Sequence, residues 1–256
     1  MPGRALSFGT VAEAYERFRP GYPDELADLV LAYAGRPVRT ALEIGAGTGK
    51  ATRLFAGRGI TVTATEPDPA MLAELRKHVP PQVNPVLAAF EELRPGERYG
   101  LVYAAAALHW TKPDGRAARL AALLEPGGVL ASFGGPVQQL LDRAVEDAVH
   151  AARAPFLASD DVPSPDGTPP TESMQWPGTE LRRSPCFTDV RQHVIARRLT
   201  MTADEYVGQL STVSAYLELP AARREQALQR IRQVLPDTVA VVADLTVHLA
   251  RRRDDR

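Results

Sequence analysis

Two acidic residues and a glycine loop carry the first chemical signal. Ala41-Leu42-Glu43-Ile44-Gly45-Ala46-Gly47-Thr48-Gly49 ends an apolar run and opens a helical pattern, with glycines at three alternate positions. Without a Cβ at these positions, backbone can approach a ligand closely. The next β-like run, Ile60-Thr61-Val62-Thr63-Ala64-Thr65, ends on Glu66. In a parallel sheet that register sets Glu66 beside the glycine loop at the carboxyl edge, where a carboxylate accepts hydrogen bonds from both hydroxyls of a ribose. The pattern describes a nucleoside-type ligand site. A phosphate-binding P-loop is excluded, because only three residues separate Gly45 from Gly49 and Lys50 is followed by Ala51. A dinucleotide fingerprint is the weaker alternative, since Lys50 stands where its third glycine belongs.

The elements that must position these groups alternate in type. Residues 38–134 switch between short apolar runs and amphipathic patterns, the signature of a parallel sheet with helices on its faces. Strands are predicted at Val38–Ile44, Ile60–Glu66, Val83–Ala88, Tyr99–Ala105 and Gly128–Phe133, with helices starting near Thr48, Asp68 and Pro113. Glu125-Pro126-Gly127-Gly128 reads as the turn into the fifth strand. Beyond Gly135 a helix at about 138–152 leads into residues 155–185, where seven prolines predict a loop-rich insertion. Phe187–Leu199 is β-like, Ala203–Thr212 and Pro220–Leu235 read as helices, and Val239–Leu249 as one late strand. One domain spans 1–256, with an N-terminal cap (1–36), a ligand-binding core (37–135), the helix and proline-rich segment (136–186) and C-terminal strands and helices (187–256).

Composition narrows the partners. With 256 residues and 45% hydrophobic side chains the chain can bury a core without staples. Thirty Lys+Arg against 31 Asp+Glu leave a net charge of −1, which argues against a nucleic-acid partner. No apolar run reaches the roughly 20 residues of a membrane span. The single cysteine, Cys186, and the lack of a signal-peptide pattern predict a cytoplasmic location. His78, His150, His193 and His248 lack ligand spacing, so no metal site is expected.

Further segments, in order, carry a resemblance. They are Tyr15-Glu16-Arg17-Phe18-Arg19-Pro20-Gly21-Tyr22-Pro23, Leu42–Gly49, Glu66-Pro67-Asp68-Pro69-Ala70-Met71-Leu72, Phe90-Glu91-Glu92-Leu93, Ala107-Leu108-His109-Trp110 and Leu124-Glu125-Pro126-Gly127-Gly128. The chain resembles class I S-adenosylmethionine (SAM)-dependent methyltransferases of the type 11 kind, and is similar to the trans-aconitate methyltransferase group. The resemblance implies a Rossmann-like α/β fold: a seven-stranded, mostly parallel sheet with helices on both faces and its last strand antiparallel, to which Phe187–Leu199 and Val239–Leu249 would contribute. It also implies a cofactor site for SAM, with S-adenosylhomocysteine (SAH) as product. In that site Glu43 belongs to the glycine motif, Gly45, Ala46 and Gly47 lie against the methionyl part, and Glu66 holds the ribose. Pro67 and Met71 flank the adenine, Phe90 and Glu91 close its other side, and Ala105 and Ala106 face the methionine. Tyr15, Arg19 and Tyr22 belong to a segment that folds over the cofactor, with Arg19 available to a carboxylate. Gly100 and Ala89 depart from the acidic residues common at their positions.

Methyl transfer from a sulfonium is an in-line displacement in which the protein aligns the acceptor and excludes water. His109 is the candidate catalytic base, with a hydrogen bond to cofactor or backbone as the alternative. Tyr22, Trp110, Trp176, Ser211 and Tyr216 join His109 as the expected acceptor-side residues. Residues 155–185 are a candidate lid carrying Trp176. The acceptor is expected to be a small molecule taking methyl on O, N or C, possible in specialised metabolism, with no nucleic acid or membrane partner and the chain as monomer or homodimer. The alternatives are a non-catalytic SAM-binding regulatory protein and an NAD(P)-dependent oxidoreductase.

Overall fold

A computed structural model describes residues 8–94, 96–134, 139–157, 164–169 and 171–254. Its strands are β1 (Thr40–Ile44), β2 (Thr61–Glu66), β3 (Asn84–Leu87), β4 (Tyr99–Ala105), β5 (Leu124–Gly134), β6 (Gln139–Leu140), β7 (Phe187–Ile195), β8 (Arg198–Thr202), β9 (Thr238–Val242) and β10 (Leu245–Arg252). The α-helices are α1 (Ala12–Phe18), α2 (Asp24–Ala34), α3 (Lys50–Ala56), α4 (Pro69–His78), α5 (Arg116–Ala122), α6 (Arg143–Arg153), α7 (Gly178–Arg183), α8 (Ala203–Leu210), α9 (Ser214–Leu217) and α10 (Ala221–Val234). The chain divides into two compact units. The larger takes Gly21–Gly134, Pro163–Ile195 and Thr246–Arg256, and the smaller takes Met1–Pro20, Gly135–Val162 and Ala196–Leu245.

The larger unit holds a seven-stranded sheet of order β3-β2-β1-β4-β5-β10-β7. The pairs β1–β2, β1–β4, β2–β3 and β4–β5 are parallel, while β10 runs antiparallel to β5. Strand β4, in the middle of the sheet, is buried on both faces, which is why it reads as an almost continuous apolar run. Leu42, Ile44, Val102, Ala104, Leu120, Leu130 and Phe187 share one core cluster. The strand order reverses direction between β1 and β4, so a crevice opens outside the carboxyl ends of those two strands. Local chemistry starts the helices as expected. Asp68 caps α4 by accepting from the Ala70 and Met71 amides, ahead of Pro69 in the first turn.

The smaller unit has a three-stranded antiparallel sheet, β6-β9-β8. Tyr206, Leu210, Val213, Tyr216, Ala227, Ile231 and Val241 form its core. Thr202 and Glu205 make a reciprocal capping box at the start of α8.

Several sequence expectations are corrected. Val239–Leu249 is two strands in different sheets, broken at Ala243-Asp244, and Phe187–Leu199 is likewise split after Ile195. The Asp244 carboxylate accepts from the Arg197 amide (2.9 Å) and the Arg198 guanidinium (2.7 Å), drawing backbone out of the ladder that the apolar pattern alone would extend. The seven-stranded sheet therefore takes only β7 and β10 from these runs. Glu125-Pro126-Gly127-Gly128 lies inside β5: Tyr99 pairs with Leu124 and Leu101 already with Val129, so the segment is an irregularity within the ladder. Of the 155–185 insertion, residues 158–163 and 170 lie outside the described residues. The described part is more ordered than its prolines suggest. It contains α7, and Asp166 accepts from the Thr168 amide and from the hydroxyls of Ser164, Thr168 and Thr179.

Candidate active site

The site is built on the carboxyl edge of β1, β2 and β4. After β1 the chain turns through Gly45 and Gly47, with φ of 65° and 58°, into α3. A Cβ on Gly45 would meet the Ala107 Cβ at 2.6 Å, so this glycine lets the loop after β4 close onto the loop after β1. Gly47 is different. A Cβ there would meet only the Met71 methyl, at 3.5 Å, so its bare backbone faces space that a ligand can use. Ala46, buried, donates its amide to the Thr65 carbonyl at 2.9 Å and ties the loop to β2.

Glu66 ends β2 and is 6% exposed. One carboxylate oxygen accepts from the Gly47 amide (2.8 Å) and the other from the Asp68 amide (3.0 Å), so this side chain fastens the glycine loop to the start of α4. Each oxygen keeps lone-pair capacity beyond these bonds. Burial pushes its pKa up to about 7 against the two backbone donors that lower it.

Glu43 sits inside β1, fully buried, and accepts from the Thr52 hydroxyl (2.5 Å) and the Tyr103 hydroxyl (2.9 Å) through one oxygen. Its side chain binds α3 and β4 to β1 beneath the loop, with no surface toward a ligand. Desolvation raises its pKa to about 8, which keeps a proton on the carboxyl at neutral pH.

Pro67 is half-buried and Met71 buried beside Gly47. Phe90 is buried in the core cluster, and the Arg119 guanidinium lies over its ring while donating to the Glu91 and Leu93 carbonyls. Glu91 accepts from the Lys112 amide at 2.7 Å, linking the turn after β3 to the one after β4. At the end of β4, Ala105 is half-buried and Ala106 exposed. Ala106 has φ of 52°, a left-handed conformation rarely adopted by a residue with a Cβ. Its amide donates to the Phe133 carbonyl at 2.8 Å. No pattern in the sequence announces this strained residue, because alanine is ordinary anywhere in a strand. Its signal is a backbone angle.

His109 and Trp110 follow in a 3-10 turn, with ring centroids 4.4 Å apart. Burial, then the nearby Arg116 charge, lower the His109 pKa to about 4, so the imidazole is neutral at pH 7 and a weaker base than its ordinary value implies. Tyr22 stands edge-on to Phe133 at 5.2 Å, and Ala105 pairs with Phe133. Trp176 is half-buried against the core cluster, donating from Nε1 to Glu180 at 2.8 Å.

Four predicted residues belong to the smaller unit. Arg19 donates to the Thr212 hydroxyl (2.8 Å) and carbonyl (3.1 Å), and its guanidinium lies over Tyr15. Ser211 donates to the Gly208 carbonyl at 2.6 Å. Tyr216 is fully buried in that unit's core. In the larger unit the fold brings together Gly45, Ala46, Gly47, Glu66, Pro67, Met71, Ala105, Ala106, His109 and Trp110. Sequence reasoning missed Arg116, which donates to the Leu108 and Thr111 carbonyls on either side of His109 and Trp110. An isolated arginine at a helix start has no periodic signature.

Residues 41–128 match a family model described as a methyltransferase domain. Along nearly the full chain, an uncharacterized methyltransferase of Mycobacterium tuberculosis is 32% identical over 232 residues, covering 90% of this chain and 86% of the relative. The chain belongs to the SAM-dependent methyltransferase family. Trans-aconitate 2-methyltransferase of Delftia acidovorans is 40% identical over 124 residues, 46% of this chain and 44% of that enzyme. Among solved structures, one from Anaeromyxobacter dehalogenans assigned as a type II methyltransferase superposes with a TM-score of 0.59 at 24% identity, covering 93% of this chain and 98% of that one. The Haemonchus contortus phosphoethanolamine N-methyltransferase 2, solved with SAH, shares the fold at a TM-score of 0.54 and 15% identity, over 96% of this chain and 58% of that one. Membership in this family sets aside the nicotinamide alternative. No helix among the described residues is long and apolar enough to cross a membrane.

Proposed function

We propose that this methyltransferase moves the SAM methyl group to a small-molecule acceptor at the carboxyl edge of β1, β2 and β4. The observation that carries this reading is Glu66, buried and hydrogen-bonded to the Gly47 amide, in the crevice where the strand order reverses. A ribose needs adjacent acceptors for two hydroxyls, and a carboxylate beside bare glycine backbone fits that need. Gly45, Ala46 and Gly47 would line the methionyl part, Pro67 and Met71 the adenine, and Ala105 and Ala106 the end nearest the acceptor. When bound, SAM supplies a methyl on a sulfonium, which leaves without the help of an acid.

The chain's own work is alignment and exclusion of water. His109, neutral at pH 7, can accept the proton of an acceptor O–H or N–H through a ring nitrogen, and Trp110 would wall the same side. The balanced charge and the partial likeness to trans-aconitate 2-methyltransferases support a small acceptor over a nucleic acid. Purified protein with methyl-labelled SAM and separate panels of polycarboxylates, amines, sugars and nucleic acids tests this. Label should enter a small molecule. Label entering nucleic acid alone, or none entering any panel while SAH binds, would contradict the proposal, the latter favouring a SAM-binding regulator.

A further inference from the structure

Arg116 opens α5 with a side chain only 2% exposed, and each of its three guanidinium nitrogens is hydrogen-bonded. Nε and Nη2 donate to the two oxygens of Glu180 at 3.0 and 2.6 Å. Nη1 donates to the Leu108 carbonyl (3.3 Å), the Thr111 carbonyl (3.1 Å) and the Thr111 hydroxyl (3.2 Å). The Thr111 hydroxyl itself donates to the Leu108 carbonyl at 2.7 Å, closing the turn. Behind the guanidinium, Trp176 lies 4.9 Å from Cζ and donates its Nε1 to Glu180. The accepting carbonyls belong to Leu108 and Thr111, the residues that bracket His109 and Trp110.

We propose that Arg116 is a positioning residue of the active site, holding the His109–Trp110 turn at the end of β4, and that Glu180 and Trp176 hold Arg116 in place. This rests on the reading of that turn as the acceptor side. A buried ion pair is weak evidence of stabilisation, because apolar residues of the same volume commonly replace one without loss. A planar fork that grips a carboxylate with one edge and two carbonyls with another has geometric value that a point charge lacks. The part of the 155–185 insertion that carries Trp176 and Glu180 thus acts as a brace for the turn.

Histidine NMR on the full chain tests this without a known acceptor. The five histidines give separate imidazole signals, and His109→Gln identifies that of His109. Arg116→Lys keeps the charge and removes the fork. As the turn opens to water, the His109 midpoint should climb from about 4 toward the ordinary imidazole value near 6.5. His248, also held near 4 by burial in the same unit, should stay there. SAH affinity by calorimetry should change by less than about threefold. Glu180→Gln should move His109 in the same direction by less, and it decides the matter if the lysine variant does not fold. A folded variant with His109 still near 4, or a joint rise of His109 and His248, overturns the proposal. Failure of the wild type to bind SAH would sink the functional reading and leave this test of the turn standing.

Discussion

Glu66 and His109 are both buried titratable groups, yet burial does different things for them. For Glu66 it raises the pKa to about 7, so the carboxylate a ribose requires is only partly populated near neutrality. For His109 it lowers the pKa to about 4, so the imidazole stays in its basic form through the physiological range but has little proton affinity. A base so far below the working pH belongs at the lower end of the usual 10²–10⁴-fold contribution. With an accepted substrate, His109→Ala should lower turnover by about 10²-fold and leave SAM affinity within a few-fold. At saturating SAM the turnover that depends on His109 should persist down to about pH 4, where the imidazole becomes protonated, while SAM affinity weakens below about pH 7 as Glu66 takes up a proton. If SAM affinity falls in step with turnover in the variant, His109 is a cofactor ligand and the base assignment is wrong.

At the scale of elements, the glycine loop is a contact between two turns as much as a ligand cradle. Gly45→Ala would drive a Cβ to 2.6 Å from that of Ala107 and strain a φ of 65°. The loops after β1 and β4 would then separate, and SAH binding should weaken by about tenfold or more. Calorimetry showing unchanged affinity would mean that the contact does not set the site. This contact was invisible in the sequence, whereas the loop itself was not. The Glu-x-Gly-x-Gly-x-Gly spacing, the period-2 run ending on Glu66 and the Asp68-Pro69 start are local signals, and the structure places all three as expected. The errors arose where long-range partners decide. Val239–Leu249 alternates without a break in hydropathy, but Asp244 finds the Arg197 amide and divides the run between sheets. The prolines of 155–185 speak against regular structure and do not reveal that Asp166 and Glu180 tether the segment.

For the whole molecule, buried carboxyls and buried histidines oppose each other in the pH dependence of stability. Glu43, near 8, and Glu66, near 7, keep protons in the fold that the unfolded chain releases near 4.5. Their contribution is therefore present in full below 4.5 and lost as pH rises through 7 and 8. His109 and His248, near 4, are neutral in the fold but protonated in the unfolded chain up to about 6.5, so they make stability rise with pH over that lower range. Between about pH 6.5 and 8 these carboxyls act without opposition from the histidines. The Tm of the ligand-free protein should fall across that window, and Glu43→Gln should flatten the fall. A wild-type Tm that rises from pH 6.5 to 8 would show that Glu43 is ionised in the fold. Binding of the methyl donor depends on Glu66, and SAH titrated into wild type and Glu66→Ala by calorimetry at pH 8 measures this directly. Two charge-assisted hydrogen bonds of about 1.5–3 kcal/mol each are at stake, so the variant should stay folded and bind at least about 10²-fold more weakly. Equal affinity of the two proteins for SAH, or no binding by the wild type, would contradict it.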